Sequence, residues 1–168
     1  SSKFNEMEKS ELENYIKAGT DDRIYAIAQL LRYGTSVNTI TKTTGIDKFF
    51  VRKLRNIINM ETILSKSVGD INCLREAKKM GFSDKAIAGF WDLSEKEIYE
   101  LRKQNIIFPV YKMIDTCASE FESYIPYFYS TYEDENESVV SEKKKIVVLG
   151  SGPIRIGQGV EFDYSTVH

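Results

Sequence analysis

Apolar residues recur at intervals of three and four over residues 6–69, which is the spacing of helices that cover a core. Two sets follow this spacing and predict core-facing stripes: Ile24, Ile27, Ala28, Leu30 and Leu31, and then Phe50, Leu54, Ile57, Ile58 and Leu64. Asp21 and Asp22 precede the first set as candidate helix caps, and Gly34 follows it as the residue expected to end that helix. The pattern predicts short helices joined by short loops.

The segment 33–55 is repeated as 80–102, at a constant offset of 47 residues and without a gap. The matching pairs are Gly34 and Gly81, Ser36 and Ser83, Ile40 and Ile87, Ile46 and Leu93, Asp47 and Ser94, Val51 and Ile98, Leu54 and Leu101, and Arg55 and Arg102. Each copy predicts a helix end, a cap, a short helix, a turn, a second cap and a second helix. Ser94 and Glu97 form a Ser-x-x-Glu capping box, so the last helix should begin near Glu95. The repeat predicts two similar small helical subdomains.

The pattern changes after Pro109, where aromatic residues crowd a segment that Pro126 interrupts. These residues are Tyr111, Phe121, Tyr124, Tyr127, Phe128, Tyr129 and Tyr132. The internal proline favours irregular packed structure over a long helix, and the rings should lie against an apolar surface. Residues 133–145 are almost all polar or charged and predict a linker.

A short apolar run at 146–149 leads directly into Gly150-Ser151-Gly152-Pro153, as in a buried parallel strand that feeds a loop. We therefore predict a mainly α fold with two similar helical subdomains, a linker, and a single β-strand with a glycine-rich loop from a truncated α/β domain. A lone parallel strand cannot satisfy its own hydrogen bonds. In isolation this tail should be either disordered or paired with another copy.

Composition excludes several classes of function. The 168 residues are 42% hydrophobic, enough to bury a core, and the net charge of -2 favours neither nucleic acid nor an anionic membrane. No apolar run approaches the ~20 residues of a membrane span, and residues 1–10 lack the apolar core of a signal peptide. We expect a cytoplasmic protein without a membrane partner.

Few groups in the chain suit catalysis or metal binding. The only histidine is His168, which leaves no Ser/His/Asp triad and no Cys/His cluster. Cys73 and Cys117 permit one disulfide, but their apolar surroundings favour buried free thiols. Any chemistry in this chain must therefore use other groups.

The repeated units also allow a nucleic-acid reading. Residues 23–66 carry eight basic and two acidic side chains, and a recognition helix could present Lys48, Arg52, Lys53 and Arg55 to the major groove. The matching helix of the second copy instead carries Glu95, Glu97 and Glu100, which would repel phosphate. A scaffolding use of the motif is favoured, and an independent helix-turn-helix module is the alternative.

Trp91, the only tryptophan, and its neighbour Phe90 also have two readings. Such a pair at this place in the repeat is typical of a core, and an exposed pair would instead indicate a self-association surface.

The glycine-rich stretch 150–159 has the ingredients of an anion cradle, because glycines permit close backbone approach and Arg155 supplies a planar cation. Its spacing is neither Gly-x-Gly-x-x-Gly nor a Walker A loop. A phosphate or substrate loop and a tight strand-to-helix turn both remain open. For Glu161 and Asp163, solvated or capping roles are favoured over acid/base or metal roles.

The segment 150–164, Gly-Ser-Gly-Pro-Ile-Arg-Ile-Gly-Gln-Gly-Val-Glu-Phe-Asp-Tyr, resembles the opening of the second synthetase half in the carbamoyl phosphate synthase large-subunit family. Residues 109–121 and 129–133 resemble the end of that family's helical connecting domain, and residues 22–24 and 45–50 resemble its beginning. The resemblance covers about residues 20–168. It implies a poorly matched segment at 1–20, a helical oligomerisation domain at 21–132, a linker at 133–145, and the start of a pre-ATP-grasp domain at 146–168.

In that family, one half uses ATP to make carbamate from bicarbonate and ammonia, and the other half phosphorylates the carbamate with a second ATP. The resemblance thus implies an ATP-dependent ligase as the parent protein, with Mg or Mn, a small glutaminase subunit and self-association, serving arginine and pyrimidine synthesis. The ATP and metal ligands of the family lie outside this chain, so the resemblance implies no catalytic residue, no cofactor ligand and no metal ligand within it. The resemblance implies a substrate-side loop, consisting of Gly150, Ser151, Gly152, Arg155, Gln158 and Gly159.

Overall fold

Helices dominate the computed structural model, which describes residues 2–115, 120, 127–147 and 149. The helices of this part of the chain are α1 (Ser2–Asn5), α2 (Lys9–Tyr15), α3 (Arg23–Arg32), α4 (Val37–Thr44), α5 (Lys48–Lys66), α6 (Ile71–Lys79), α7 (Asp84–Trp91) and α8 (Glu95–Gln104). A two-stranded antiparallel sheet follows, with strands β1 (Val110–Met113) and β2 (Phe128–Thr131). Residues 1–137 form one compact unit and residues 138–168 form a second.

The helices of the first unit enclose two cores. The first core is formed by α1 to α4 and most of α5, and its buried apolar residues are Phe4, Leu12, Ile16, Ala26, Ile27, Leu30, Leu31, Val37, Ile40, Val51 and Ile58. The second core is formed by the end of α5, by α6 to α8, and by the residues after α8; its members are Met60, Leu64, Cys73, Leu74, Ala77, Ile87, Ala88, Trp91, Ile98 and Ile107. We call the two parts the first lobe and the second lobe. The long helix α5 contributes to both.

The N-terminal segment 1–20, for which the resemblance implies only a poor match to the family, contributes residues to the first lobe. Phe4 of α1 and Leu12 of α2 are 1% and 0% exposed, and Ile16 follows α2 at 2%. The Phe4 ring meets the Tyr15 ring edge-on, with 5.2 Å between their centroids. Residues 2–16 therefore close one side of the first core.

Helix ends occupy equivalent places in the two lobes, at the offset of 47 residues. Gly34 and Gly81 follow α3 and α6 with φ of 80° and 89°, a backbone conformation that suits glycine. The Ser36 and Ser83 side chains cap α4 and α7 by accepting the N–H of the residue three positions later.

The second helix of each pair also starts with a side-chain cap. The Asp47 carboxylate accepts the Phe49 N–H at 2.7 Å. Ser94 and Glu97 form the predicted capping box, so α8 begins at Glu95. Both hydrogen bonds of the capping box are present, so this prediction is confirmed.

Both predicted core stripes are partly wrong. Ile24 is 45% exposed, because the buried face of α3 is centred on Ala26, Ile27 and Leu30, and Ile24 lies on its flank. On α5, Phe50 is 62% exposed and Ile57 is 39% exposed. Val51, the residue after Phe50, is buried instead, since one residue turns a helix face by about 100°. Ile58 and Leu64 are buried as predicted.

The predicted cap at Asp22 is in place, but its side chain is used elsewhere. Asp22 is the N-cap residue of α3 and forms no cap hydrogen bond. Its carboxylate accepts hydrogen bonds from Lys3 Nζ at 2.9 Å and from Tyr15 Oη at 2.7 Å. Asp22 therefore ties α1 and α2 to the start of α3.

The aromatic segment forms a β-hairpin, where we had predicted irregular structure. In β1 and β2, Val110 pairs with Thr131, Tyr111 with Ser130, Lys112 with Tyr129, and Met113 with Phe128. The rings of Tyr111, Tyr127, Phe128 and Tyr129 are 40–47% exposed, so these aromatics do not lie against an apolar surface as we predicted. Tyr132 does pack against the second core. Phe121 and Tyr124 lie outside the described residues.

The predicted linker at 133–145 starts later than expected. Asn136 Oδ1 accepts the Tyr111 N–H at 2.9 Å, and Glu137 Oε2 accepts the Met113 N–H at 2.7 Å. The Glu137 N–H in turn donates to the Tyr111 carbonyl at 2.8 Å. Residues 136 and 137 thus satisfy the outer edge of β1, which explains why their polar side chains are not a solvated linker.

The second unit is described here only at residues 138–147 and 149, which form no helix or strand. Ile146, Val147 and Leu149 are 91%, 83% and 90% exposed. The strand predicted at 146–149 is therefore not formed at these three residues, since a single strand has no neighbour to accept its backbone hydrogen bonds.

Candidate interaction surface

The substrate-side loop predicted from resemblance lies outside the described residues. This applies to Gly150, Ser151, Gly152, Arg155, Gln158 and Gly159, as well as to Cys117, Glu161 and Asp163. The residues that can be placed are those of the two lobes and the hairpin.

The basic residues singled out by the sequence do share the first part of α5. Lys48, Arg52, Lys53 and Arg55 are all exposed there. The counterpart helix α8 presents Glu95 and Glu100, and its third acidic residue, Glu97, is held by the backbone N–H and hydroxyl of Ser94, which lower the pKa of that carboxyl. With Lys96, Arg102 and Lys103 beside these three acidic residues, α8 has no net charge, whereas the start of α5 is strongly basic. This difference gives no support to a pair of equivalent DNA-binding helices.

Two aromatic side chains project from the start of α5. Phe49 is 57% exposed and Phe50 is 62% exposed. Their rings meet edge-to-face with 5.4 Å between centroids, and Lys53 Nζ lies 5.2 Å from the Phe49 centroid. Together with Ile57 two turns further on, Phe49 and Phe50 form what we call the α5 patch. Exposed apolar clusters of this kind mark surfaces that contact other proteins.

A second exposed apolar surface is one face of the hairpin. Tyr111 and Met113 of β1 lie on the same face as Phe128, the cross-strand neighbour of Met113. The three side chains are 40–47% exposed. We call this set the hairpin face.

The structure decides between the two interpretations of the aromatic pair in the second lobe, because both residues pack in or against the core. Trp91 is 3% exposed, and its Nε1 donates a hydrogen bond to the carbonyl oxygen of Leu64 at 3.0 Å. Phe90 is partly buried and meets Phe82 edge-to-face, with 6.4 Å between centroids.

Sequence reasoning missed a buried ion cluster in the second lobe. The Asp84 carboxylate accepts from Arg102 Nη2 at 2.6 Å, from Arg102 Nε at 2.9 Å and 3.0 Å, and from Lys78 Nζ at 2.8 Å. The two cations also donate to the carbonyls of Phe82 and Ile107. All three ionised side chains are 7–11% exposed.

The protonation of this cluster follows from its contacts. Burial alone would raise the pKa of Asp84, but the hydrogen bonds from Arg102 and Lys78 outweigh burial and lower it. The carboxylate is therefore ionised at neutral pH and balances one of the two buried cations. The cluster joins α6, α7 and α8 and is structural.

The described residues offer no set of catalytic groups. Cys73 is a buried free thiol as predicted, and burial raises its pKa, which keeps it protonated and unreactive. Across residues 2–115 and 127–147, no three His, Cys, Asp or Glu side chains are placed to bind a metal ion. None of the described helices combines the length and the apolar character that crossing a membrane requires.

These features define a helical scaffold domain, in which two lobes of the same design share one long helix and present exposed apolar surfaces. Residues 1–106 match the family described as "Carbamoyl-phosphate synthetase large chain, oligomerisation domain". Residues 142–168 match the family described as "Carbamoyl phosphate synthase preATP-grasp domain". The chain therefore belongs to the carbamoyl-phosphate synthetase large-chain family, and it contains the oligomerisation domain of that large chain.

Proposed function

We propose that this chain is the connecting and oligomerisation segment of a glutamine-hydrolysing carbamoyl phosphate synthase. The parent enzyme makes carbamoyl phosphate from bicarbonate, glutamine-derived ammonia and two ATP, in the cytoplasm, for arginine and pyrimidine synthesis. The order of the two family matches, oligomerisation domain and then pre-ATP-grasp domain, supports this reading. The parent enzyme binds ATP with Mg or Mn and works with a small glutaminase subunit. The chain itself has no complete active site and is inactive alone.

The role of the chain is to space the synthetic halves and to let large subunits associate. The observation that carries this role is the α5 patch, because Phe49 and Phe50 leave more than half of each ring exposed. Large aromatic side chains are favoured at the centres of protein interfaces. The charges beside them, Lys48 and Lys53, are exposed and can form the polar rim of such an interface.

Light scattering over a concentration series tests this role. The double variant Phe49→Ser, Phe50→Ser should be monomeric at concentrations where the unmodified chain forms dimers, and circular dichroism should show unchanged helix content. The matched control is Tyr111→Ser, Phe128→Ser on the hairpin face, which should leave the dimer intact. Dissociation by the control alone would move the interface to the hairpin, and a monomeric unmodified chain would leave only the spacing role.

The glycine-rich loop is assigned to the substrate side of the second synthetic half. Its backbone amides at Gly150 and Gly152, together with Arg155 and Gln158, can donate hydrogen bonds to carbamate or phosphate oxygens. In the intact parent enzyme, Arg155→Ala should slow carbamate phosphorylation and leave the helical domain folded. Unchanged rates of both partial reactions would remove this assignment.

A further inference from the structure

The two lobes share a helix design but differ at one site. In the second lobe, Asp84 is the first residue of α7. Its carboxylate oxygens accept hydrogen bonds from Nε and Nη2 of Arg102 in α8 at 2.6–3.0 Å. At the offset of 47 residues, Arg102 corresponds to Arg55, and Asp84 corresponds to Val37. The first lobe thus keeps the arginine and lacks the carboxylate.

Several observations fix this correspondence in space. Ser36 and Ser83 cap the two equivalent helices through the same atom pair, and Ile40 and Ile87 are both 0% exposed. The turns that follow have positive φ at Gly45 and at Asp92, which are again 47 residues apart. The backbone around Val37 and Arg55 in the first lobe is therefore equivalent to the backbone around Asp84 and Arg102 in the second lobe.

A cleft of about 420 Å³ occupies this place in the first lobe. It is lined by Leu31, Gly34, Thr35, Ser36, Val37, Asn38, Arg52, Arg55 and Asn59. None of these nine residues is acidic, so the lining has two positive charges and no negative charge. Arg52, Arg55 and Asn59 follow one another at intervals of three and four along α5, which places them on one face of the helix.

The two guanidinium groups have no partner within the described part of the chain: neither Arg52 nor Arg55 forms a hydrogen bond or an ion pair there. Their closeness on one helix face is unfavourable without an anion. In the second lobe the position of Arg52 is taken by Tyr99, whose ring lies 5.5 Å from the Arg102 guanidinium carbon. The first lobe thus has a second cation where the second lobe has a neutral ring.

Thr35 also contributes to the lining of this cleft. It is 9% exposed, and its buried Oγ1 has no hydrogen-bond partner among the described residues. The first turn of α4 also begins at the cleft, with the free backbone N–H groups that a helix start directs toward anions. The two guanidinium groups and the start of α4 therefore offer donors to one space whose lining side chains include no anionic acceptor.

We propose that this cleft is a binding site for a small oxyanion ligand, a carboxylate or a phosphate group. The ligand takes the place opposite Arg55 that the Asp84 carboxylate takes opposite Arg102. Arg52 supplies a second charge-assisted hydrogen bond, and Asn38 and Asn59 can bind the remainder of the ligand. The second lobe needs no such ligand, because the Asp84 carboxylate already pairs with Arg102.

Nuclear magnetic resonance of the full 168-residue chain tests the site. Inorganic phosphate and succinate are titrated separately at constant ionic strength, with chloride as the balancing anion. Saturable shifts are expected at the amide of Asn38 and at the Nε–H of Arg55. The tighter of the two probes identifies the source as a phosphate or a carboxylate group. Shifts that chloride reproduces at equal strength would overturn the proposal.

Variants separate a built site from a general cationic surface. Arg52→Gln with Arg55→Gln should weaken binding at least about ten-fold, since each lost charge-assisted hydrogen bond is a large fraction of a weak ligand's affinity. The control Lys53→Gln, on the same helix and outside the cleft, should change the affinity less than about two-fold. Equal losses in both variants would contradict the proposal.

The variant Val37→Asp installs the missing carboxylate. It should pair with Arg55 as Asp84 pairs with Arg102, and it should abolish the binding of both probes. Undiminished binding in a folded Val37→Asp chain would overturn the proposal. If this variant does not fold, the arginine variants, which alter only exposed side chains, still decide the question.

Discussion

The Trp91 indole donates its N–H to the carbonyl oxygen of Leu64 at 3.0 Å, and so binds the last residue of α7 to the last turns of α5. This carbonyl lies in the last turn of α5, where it also accepts the Ser67 N–H at 3.2 Å. The indole of Trp91, which is 3% exposed, supplies its second hydrogen bond. The hydrogen bond therefore secures the end of the shared helix to the second lobe.

Replacing the indole should weaken the second lobe measurably. Trp91→Phe removes the hydrogen bond and part of the ring volume, and we expect a loss of about 2 kcal/mol in the free energy of unfolding. Urea denaturation followed by circular dichroism measures it. Tyr99→Phe, which removes an exposed hydroxyl of the same lobe, should cost less than about 0.5 kcal/mol. Equal losses in the two variants would contradict the role of the bond.

The ion cluster should be sensitive to the loss of its anion. Asp84→Asn leaves Lys78 and Arg102 buried beside each other without a carboxylate, and we expect a loss of about 3–5 kcal/mol in the free energy of unfolding. The same measurement on Asp21→Asn, an exposed position, should show little change. An Asp84→Asn chain as stable as the control would mean that the cluster contributes nothing.

The lowered pKa of Asp84 also predicts that the free energy of unfolding decreases at acidic pH. An aspartate whose pKa is lower in the folded chain stabilises it fully above the unfolded pKa, about 3.9, and this stabilisation is lost as the pH falls through the folded pKa. Unfolding free energies should therefore decrease below about pH 4. In Asp84→Asn this decrease should be smaller, because one proton-binding group has been removed. An unchanged pH profile would contradict the assignment.

Asp22 should titrate far below an ordinary aspartate. The hydrogen bonds from Lys3 and from the Tyr15 hydroxyl lower its pKa to about 2. A carboxyl carbon titration by nuclear magnetic resonance should show this midpoint, and Lys3→Met with Tyr15→Phe should move it toward about 3.9. The stabilisation from Asp22 is then complete above about pH 4 and is lost between about pH 4 and pH 2. A midpoint in the unmodified chain near the ordinary value would show that these contacts do not persist.

The two caps at equivalent positions should contribute equally. Ser36→Ala and Ser83→Ala each remove the acceptor of a backbone N–H at the start of a helix, and each should cost about 1 kcal/mol of unfolding free energy. The control is Ser65→Ala inside α5, where the hydroxyl donates to the Glu61 carbonyl of its own helix and its loss should be neutral. A cost confined to one lobe would contradict the equivalence of the two units.

Limited proteolysis should cut first between residues 138 and 145. Val139 and Val140 are 95% and 77% exposed, and no helix or strand protects the described residues beyond Glu137. Mass spectrometry should recover a stable product that ends in this range. First cuts within α5, or a chain that resists cleavage here, would contradict the boundary.

Helix ends could be predicted from the sequence because their chemistry is local. Gly34, Ser36, Ser94 and Glu97 act on residues at most four positions away, so their types and spacing are sufficient. The side of α5 that is buried depends on contacts with other helices. The spacing there is compatible with adjacent stripes, so the prediction includes the exposed Phe50 and Ile57 and omits Val51, which faces the core.

Features made by distant residues could not be predicted. The strands β1 and β2 are separated by fourteen residues, and neither has an apolar alternation of its own that reveals its partner. The ion cluster joins Lys78, Asp84 and Arg102 from three helices. The cleft at Arg52 and Arg55 is recognised by comparison with the ion cluster of the second lobe. The repeat aligns Val37 with Asp84, and the structure shows that Arg55 consequently lacks the carboxylate partner that Arg102 has.

The continuity of α5 has a consequence for how this chain can vary. Its nineteen residues form a rod about 28 Å long that supplies Val51 and Ile58 to one core and Leu64 to the other. One residue inserted between Ile58 and Leu64 would advance the far end by about 1.5 Å and rotate it by about 100°, turning Leu64 away from its core. The length of α5 is therefore fixed, because this one helix sets both the spacing and the twist of the two lobes.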